Sequence, residues 1–331
     1  MSHKTINWGI IGTGFIARKF AEDYRFVREG RIVAVASRSQ ERAEAFGKKY
    51  ELPHCYENYE RLLKNPEIDA VYIATPHSEH YQHTIQALKH DKAVLCEKPA
   101  AVNAKELKAM IDLARSKDLL FMEAMWTDSL PAILKARQWI EDGEIGQVRF
   151  IQASFGAHSP TNPGHRLYNP RLAGGALLDL GIYPLNFSNT MAADTVSEIS
   201  ARGILGETGV DETTAMLVRY HQGTLAQLSC SIKHTTDHTG MIYGTEGTIE
   251  IPDFWKSRKA ILYRDNQQTP FQDERASTGY HFEIDEMNRL LLENKKTSAI
   301  VPPAKSLANM EILDECRRQI GLLYPFESGS F

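Results

Sequence analysis

The chain has 331 residues, 42% of them hydrophobic and 24% charged, and a formal net charge of −4 at pH 7. This length can fill two domains of ordinary size, and the composition is typical of a globular protein with packed cores. The charged residues form no basic block, which argues against nucleic acid as the main partner, and no apolar run reaches the ~18 residues that a membrane span needs.

The first part of the chain alternates short apolar runs with helical patterns. The apolar runs are INWGIIG, RIVAVAS, DAVYIAT, KAVLC and LLFMEAM. The helical patterns between them cover Phe15–Val27, Gln40–Tyr50, Ser78–His90 and Ala104–Lys117. Because apolar strands that alternate with helices are typical of a parallel sheet covered on both faces, we predict a doubly wound α/β domain over residues 1–125.

The pattern changes after a helix predicted at Pro131–Glu141. The later runs are longer and alternate apolar with polar residues: QVRFIQASFG, SEISARGIL, TTAMLVRYH, GTLAQLSCSI, GMIYGTEGTIEI and KAILYRD. Such alternation predicts antiparallel strands with one buried face. A buried helical segment is predicted at Gly175–Met191, and two late helices near Tyr280–Glu293 and Ser306–Leu322. We therefore predict a second domain over residues 126–331, whose last helices can pack back on the first domain.

The four cysteines, Cys55, Cys96, Cys230 and Cys316, lie far apart and form no CxxC pair. This spacing predicts reduced thiols in a cytoplasmic protein, with neither a disulfide framework nor a zinc site. No other cluster of metal ligands is evident, so no metal is expected. The N-terminal segment carries charge but leads directly into a predicted core strand, which is not the pattern of a signal peptide.

A glycine-rich turn follows the first predicted strand and opens the first helix. In GIIGTGFIA, Gly12, Gly14 and Ala17 match the G-x-G-x-x-G/A pattern of dinucleotide-binding turns. The first glycine permits the tight turn, and the second lets backbone N–H groups approach a pyrophosphate. The pattern predicts cofactor contacts at Gly12, Thr13, Gly14, Phe15 and Ile16. A purely structural turn is the alternative.

The end of the second predicted strand indicates which dinucleotide is bound. Enzymes that select NAD usually carry an acidic residue there, whereas this chain has Ser37 and Arg38, with Arg42 one helical turn later. A hydroxyl beside guanidinium groups suits a 2′-phosphate, which favours NADP. A solvated arginine at the start of a helix is the alternative.

Two further strand ends point to the same edge of the sheet. ATPHSEHY follows the third long apolar run, so Thr75, Pro76, His77 and His80 are expected along the cofactor, although either histidine could be a surface residue. LCEKPAAV follows the next run and brings Glu97 and Lys98 to this edge, close to where a nicotinamide would lie. Pro99 restricts the Lys98 backbone to extended geometry. An exposed Glu97–Lys98 ion pair is the alternative.

A second chemical pattern occurs in GGALLDLGIYPLNF. Asp179 and Tyr183 are spaced i and i+4, on one face of a helix, and the preceding pair Gly174-Gly175 permits close approach of a backbone or a ligand. A free tyrosine is a poor base at neutral pH, but a neighbouring ammonium such as Lys98 favours the phenolate. Tyr183 could also be an ordinary core residue.

The stretches GIIGTGFIA, CEKPAAVNAKE and GGALLDLGIYPL, in this order, resemble the Gfo/Idh/MocA oxidoreductase family. The resemblance implies a Rossmann domain followed by an α/β domain with a large open, mostly antiparallel sheet. Within the family the chain is similar to the dimeric dihydrodiol dehydrogenase group, with sugar dehydrogenases nearby. KAVLCEKPAAVNAKE, FMEAMWTDSLPA and TGVDETTAMLV also carry this similarity.

The resemblance implies roles for individual residues. Many members have D-x-G-x-H where this chain has DLGIY, so Tyr183 takes the place of general acid/base. Lys98 would orient the substrate hydroxyl and assist proton transfer, and Asp179 would position the substrate. Family members often have a cis Lys–Pro bond, which we expect at Lys98–Pro99.

The resemblance also implies a substrate pocket. Trp126, Phe155 and Trp255 match the positions of its aromatic lining, and Arg171 falls near the nicotinamide. After MEAMW, dihydrodiol enzymes tend to have an arginine and aromatic residues, whereas this chain has Thr127-Asp128-Ser129. This departure predicts a more polar pocket entrance.

Together these patterns predict an NADP-dependent oxidoreductase, with NAD as a possible substitute, acting on a secondary alcohol or carbonyl of a sugar-like or cyclic diol substrate. One alternative is a glucose–fructose-type oxidoreductase that holds NADP tightly. Another is a non-catalytic NAD(P)-sensing regulator on the same fold. Family members bury the open sheet in a dimer, so a homodimer or higher homo-oligomer is expected.

Overall fold

The computed structural model describes residues 5–327. Their contacts divide them into two compact units. The first unit contains residues 5–126 and Ala276–Leu307, and the second contains Thr127–Arg275 and residues 308–327. No helix among the described residues is long and apolar enough to span a bilayer.

The first unit is built on a six-stranded sheet, in which all neighbouring strands are parallel. Its strands, in the order β3-β2-β1-β4-β5-β6, are β1 (Asn7–Ile11), β2 (Arg31–Ala36), β3 (His54–Tyr56), β4 (Ala70–Ile73), β5 (Ala93–Glu97) and β6 (Phe121–Ala124). The helices between them are α1 (Phe15–Asp23), α2 (Gln40–Tyr50), α3 (Tyr59–Leu63), α4 (His77–Lys89) and α5 (Ala104–Ser116). The predicted doubly wound domain is confirmed. The strand order reverses between β1 and β4, where ligands bind in this fold.

The second unit is built on an eight-stranded sheet with one helical layer. After α6 (Pro131–Glu141), its strands are β7 (Val148–Gly156), β8 (Val196–Leu205), β9 (Asp211–Tyr220), β10 (Leu225–Ser231), β11 (Gly240–Gly244), β12 (Thr248–Ile251), β13 (Lys259–Arg264) and β14 (Gln267–Gln272). They are ordered β14-β13-β12-β11-β7-β10-β9-β8 and pair antiparallel, except that β7 and β10 are parallel. The mostly antiparallel sheet is confirmed.

The predicted buried helix consists of two kinds of helix. A π-helix at Leu177–Gly181 continues directly into α7 (Ile182–Ala192), and both pack on the sheet, chiefly on β7 and β10. One face of β9 and β10 is buried by this layer, while Leu217 and Leu225 on the opposite face are exposed. Because π-helical turns are rare and often lie at functional sites, the junction between this π-helix and α7 is a candidate functional region.

Two long helices follow the second sheet. Of these, α8 (His281–Leu292) belongs to the first unit, and α9 (Pro303–Ile320) begins in the first unit and continues in the second. The start of α8 is held by Asp23, whose buried carboxylate accepts the backbone N–H groups of Gly279 at 2.8 Å and Tyr280 at 2.9 Å. The Trp8 indole donates to Asn288 at 2.8 Å. These bonds explain why a segment distant in sequence joins the first unit.

Sequence patterns were wrong for some short elements. The run GMIYGTEGTIEI is two strands, β11 and β12, because a turn separates Gly244 from Thr248. Strands β3 and β14 and helix α3 were not predicted. β3 has three half-buried residues, and β14 is largely exposed, so neither carries the apolar run that marks a core strand.

Candidate active site

A cleft of about 720 Å³ lies at the carboxyl end of the first sheet. It is lined by the turn after β1, the end of β2, the face of α2 and the loop after β4. Nine of the predicted cofactor residues line it: Gly12, Thr13, Gly14, Phe15, Ser37, Arg38, Arg42, Thr75 and Pro76. Separate strand ends are therefore brought together into one cleft, as the parallel topology predicts.

The glycine turn is shaped for close approach of a ligand. Gly12 has φ +107°, and a Cβ there would lie 2.7 Å from the carbonyl oxygen of Ala74. A Cβ at Gly14 would meet no atom within 4 Å, so the space in front of α1 is open. No side chain caps α1, which leaves its first backbone N–H groups directed at that space. These features fit a dinucleotide pyrophosphate.

The cleft is strongly cationic. Its lining includes Arg18, Arg38, Arg42 and Lys49, and none of the described residues that line it is acidic. Arg38 and Arg42 are exposed, whereas Ser37 is buried at 6% exposure. Sequence patterns had not singled out Arg18, which lies one helical turn after Gly14, or Lys49, which lies near the end of α2. Four cations favour a ligand with an additional phosphate.

His80 connects two strand ends of this sheet. Its Nδ1 lies 2.8 Å from the carbonyl oxygen of Pro99, and its Nε2 lies 2.8 Å from that of Thr75. The side chain is fully buried, and burial lowers the pKa of His80 to about 4, outweighing the two carbonyl contacts, which favour the charged ring. His80 thus holds the loop that lines the cleft against the turn that carries Lys98.

The Glu97–Lys98 turn is firmly positioned. The buried Glu97 carboxylate accepts the Tyr72 hydroxyl and, at 3.2 Å, the backbone N–H of Lys98. Burial, and then the Glu97 charge, raise the pKa of Tyr72 well above its usual range, so it remains a donor. The Lys98 side chain is half-buried, and the Lys98–Pro99 bond is cis, as expected.

The second unit contains an aromatic cluster around Tyr183. The Tyr183 ring centroid lies 5.4 Å from that of Phe155 and 6.1 Å from that of Trp255, and the Phe155 and Trp255 rings stack at 4.8 Å. His238 packs edge-on against Phe155 at 4.8 Å. Phe155, on β7, and Trp255, in the turn after β12, thus lie beside Tyr183, the predicted acid/base residue.

Asp179 has a partner that sequence patterns did not reveal. The Arg166 guanidinium binds it through two parallel bonds, Nη1 to Oδ1 at 3.0 Å and Nη2 to Oδ2 at 3.1 Å. The Asp179 side chain is 7% exposed and that of Arg166 is 53% exposed. Arg166 starts a short 3₁₀ turn in an irregular loop, where no periodicity could indicate its partner.

The predicted polar entrance is wrong. Thr127, Asp128 and Ser129 are buried, and the Asp128 carboxylate accepts the Asn186 amide at 2.8 Å and the Thr190 hydroxyl at 3.2 Å. Asp128 thus anchors α7 from within the second unit. The segment was expected at the pocket entrance, whereas the Asp128 carboxylate is bonded to α7 and the Thr127 hydroxyl donates to the Trp255 carbonyl oxygen at 3.0 Å.

The remaining predicted residues lie outside the cleft lining. Ile16 is half-buried on α1, His77 is buried at the start of α4, and Arg171 is exposed in a loop of the second unit. Trp126 belongs to the first unit, where it stacks on Tyr280 with a centroid distance of 4.4 Å. Among residues 5–327, no group of three or more His, Cys, Asp or Glu side chains could hold a metal ion.

Comparisons with known proteins agree with this architecture. A profile described as an oxidoreductase family with an NAD-binding Rossmann fold matches residues 6–125, and the GFO/IDH/MocA C-terminal domain matches residues 133–250. Trans-1,2-dihydrobenzene-1,2-diol dehydrogenase of Mus musculus is 36% identical over 331 residues, covering 97% of this chain and 98% of the relative. The protein of the same name from Danio rerio is 35% identical over 333 residues, covering 98% and 99%.

Solved structures show the same fold. Aldose-aldose oxidoreductase from Caulobacter crescentus, complexed with glycerol, superposes with a TM-score of 0.87 at 22% identity, covering 96% of this chain and 97% of that one. KijD10, a 3-ketoreductase from Actinomadura kijaniata in complex with NADP and TDP-benzene, superposes with a TM-score of 0.85 at 25% identity, covering 96% and 98%.

Proposed function

Because this chain belongs to the Gfo/Idh/MocA family of oxidoreductases, we propose that it is an NADP-dependent dehydrogenase or reductase. It transfers a hydride between the nicotinamide and a secondary alcohol or carbonyl of a sugar-like or cyclic diol substrate. The observation that carries this proposal is the cleft at the carboxyl end of the first sheet, with four cations and no acidic residue in its described lining.

The 2′-phosphate of NADP is the group that this lining favours. Arg38 and Arg42 follow β2, where an NAD enzyme would present a carboxylate to the ribose. Guanidinium groups bind phosphate through forked, charge-assisted hydrogen bonds, whereas an unmodified ribose would leave this positive charge unused. Bound NADP would supply the hydride acceptor or donor.

Proton transfer is assigned to Tyr183, assisted by Lys98. In the oxidative direction Tyr183 takes the proton of the substrate hydroxyl as the carbon-bound hydride leaves, and in reduction it returns that proton. Lys98 orients the hydroxyl and favours the phenolate through its positive charge. Phe155 and Trp255, which surround Tyr183, offer flat apolar surface to a ring-shaped substrate.

The substrate class follows from this lining together with the names of the relatives. The similar proteins of Mus musculus and Danio rerio are named for a cyclic trans-diol, and aldoses appear in the name of a protein of the same fold. The aromatic cluster suits the apolar faces of a ring, and the Asp179–Arg166 pair suits its hydroxyl groups.

A homodimer through the eight-stranded sheet completes the proposal, in a cytoplasmic enzyme. The sheet face opposite α7 exposes large apolar side chains, among them Ile204 at 65% and Leu217 at 50% exposure. A second copy of the chain would cover them. Sedimentation analysis of the full chain tests this point, and a monomer at micromolar concentration would contradict it.

The experiment that tests the activity is a substrate panel followed by NADPH absorbance. It contains aldoses, polyols, inositols and trans-dihydrodiols, each assayed with NADP and with NAD. We expect turnover with NADP on at least one ring-shaped diol and loss of that turnover in Tyr183→Phe. If no compound of the panel is oxidised, and no matching carbonyl compound is reduced, the proposed function is wrong.

A further inference from the structure

Asp179 carries a nearly buried charge that is paired with an arginine of its own unit. Both oxygens bind the Arg166 guanidinium, and the carboxylate is 7% exposed against 53% for the arginine side chain. Burying a carboxylate is costly unless it is paired and hydrogen-bonded. The fork therefore keeps Asp179 ionised and fixed, while the other side of the guanidinium reaches solvent.

The fork lies one helical turn from Tyr183. Asp179 belongs to the π-helix Leu177–Gly181, and Tyr183 is the second residue of α7, which continues from it. An uncompensated carboxylate at this separation would oppose the formation of a phenolate, and an uncompensated guanidinium would favour it. As a pair, the two charges nearly cancel at Tyr183.

We propose that Arg166 is a positioning residue that neutralises Asp179 and thereby sets the pH at which the Tyr183 phenol gives up its proton. The inference rests on the proposed role of Tyr183 as acid/base. The irregular loop that carries Arg166 has no recognisable motif, yet through Arg166 it would control the pH range in which the proton transfer operates.

Other charged or titratable groups pack around the same segment. His238 packs against Phe155, Lys256 lies over Trp255, and Asp253 lies beside His238 and Lys256. Asp211, Cys230 and Tyr324 pack against the π-helix that carries Asp179 and against the loop before it. None of them is altered by the substitutions below. Lys98, to which we assign the assistance of proton transfer, is also unchanged in every variant.

The test is a direct titration of Tyr183 in the full chain. Tyrosine labelled with ¹³C at Cζ reports phenol ionisation by NMR without substrate, and Tyr183→Phe identifies the resonance. In Arg166→Gln the midpoint should rise by about 0.5–1 pH unit, and in Asp179→Asn it should fall by a similar amount. In the double variant Arg166→Gln/Asp179→Asn both charges are absent, so the midpoint should return close to that of the wild type.

Two controls separate charge from packing. Arg318→Gln breaks an exposed ion pair on α9, with Glu315 at 2.7 Å, and should leave the Tyr183 midpoint unchanged. Arg166→Lys keeps the positive charge but loses the forked pair of hydrogen bonds. Its Tyr183 midpoint should therefore lie close to that of the wild type, while its turnover should stay below the wild-type value. Raising the ionic strength should reduce the difference in Tyr183 midpoint between the wild type and Arg166→Gln, because half of the Arg166 side chain is in solvent and salt screens its charge.

The outcomes are distinct. Opposite shifts in the two single variants, cancelling in the double variant, support the inference even if the substrate panel shows no turnover. Midpoints that stay within 0.2 pH unit of the wild type, or that move in the same direction in both single variants, overturn it even if the enzyme is active. A purely structural role of Arg166 would lower stability without moving the midpoint in opposite directions; a shift of about 0.2 pH unit corresponds to roughly 0.3 kcal/mol, at ~1.4 kcal/mol per unit.

Discussion

The carboxylate of Asp211 occupies the space that a side chain at Gly175 would need. A Cβ on Gly175 would lie 2.2 Å from Asp211 Oδ1, and Gly175 has φ +120°. Asp211 Oδ2 accepts the backbone N–H of Leu177 and the Thr214 hydroxyl, both at 2.8 Å. Asp211 thus fixes the first turn of the segment that carries Asp179 and Tyr183, and the glycine makes room for it.

Replacing this glycine should destabilise the second unit. Gly175→Ala adds a side chain in a backbone region that only glycine adopts readily and forces it against a buried carboxylate. We expect a loss of about 3 kcal/mol or more in the free energy of unfolding, measured by urea titration. Gly143→Ala is the matched control, because Gly143 has φ +76° with no atom within 4 Å of the new Cβ. It should lose only about 1 kcal/mol. Equal losses would contradict the role of Asp211.

The Asp211 carboxyl predicts a pH-dependent term in stability. Burial raises the pKa of Asp211 from 3.8 to about 6, although Thr214 and backbone N–H groups oppose this. Since the folded pKa is above the unfolded one, the contribution is fully present below about pH 4 and is lost as the pH rises through 6. Asp211→Asn should gain stability relative to the wild type between pH 4 and 6. Asp265→Asn, at an 87% exposed side chain, should not. A constant difference across this range would refute the assignment.

Arg38 should discriminate between the two nicotinamide cofactors. Arg38→Ala removes a guanidinium from the cleft, so the Kd for NADP should rise by about 10–100-fold while that for NAD changes by less than about 3-fold. Fluorescence titration of the free protein measures both constants. Lys48→Ala is the control, since Lys48 is exposed on α2 but does not line the cleft. Equal losses for NADP and NAD would contradict the phosphate assignment.

Lys98 should affect turnover far more than cofactor binding. Lys98→Met removes the ammonium to which we assign the assistance of proton transfer, so kcat should fall by about 10²–10⁴-fold while the Kd for NADP stays within a few-fold. Lys108→Met, at an exposed lysine paired with Asp112, serves as the control and should leave both unchanged. Steady-state kinetics and cofactor titration provide the two readouts. A Lys98→Met variant that keeps most of its activity would exclude this role.

Glu283 should limit stability at alkaline pH. It is fully buried in the first turn of α8, and its carboxyl oxygens have no hydrogen-bond partner among the described residues. Burial, and then the charges of Glu97 and Asp23, raise the pKa of Glu283 well above its usual range. Its contribution to stability is therefore complete at low pH and is lost as the pH rises through the folded pKa. Glu283→Gln cannot ionise.

Thermal unfolding between pH 5 and 9 tests this prediction. The midpoint of Glu283→Gln should gain on that of the wild type as the pH rises, because the wild type alone must accommodate a third buried carboxylate. Glu311→Gln, at an exposed position of α9, should follow the wild type throughout. A variant whose midpoint stays parallel to the wild-type midpoint would show that Glu283 does not titrate in this range.

The sequence by itself determined the features that depend on neighbouring residues. The alternation of apolar strands with helices specified the parallel sheet, and the Gly12–Gly14 turn directly after β1 specified the dinucleotide cleft, since turn geometry and strand ends are local properties. Arg38 and Arg42 could be assigned to the same cleft because parallel strands all end at one edge. The predictions failed where a short element such as β3 or β14 has no apolar run.

Only the tertiary structure decided which polar groups meet. Arg166 binds Asp179, 13 residues later in the chain. His80 contacts the carbonyl oxygens of Thr75 and of Pro99, and Pro99 lies 19 residues after His80. The Gly174-Gly175 pair indicated that something approaches closely, but not that it is Asp211. Such pairs depend on where loops and distant strands are packed, and a buried charge is stable only once its partner is in place. No periodicity in the sequence records that packing.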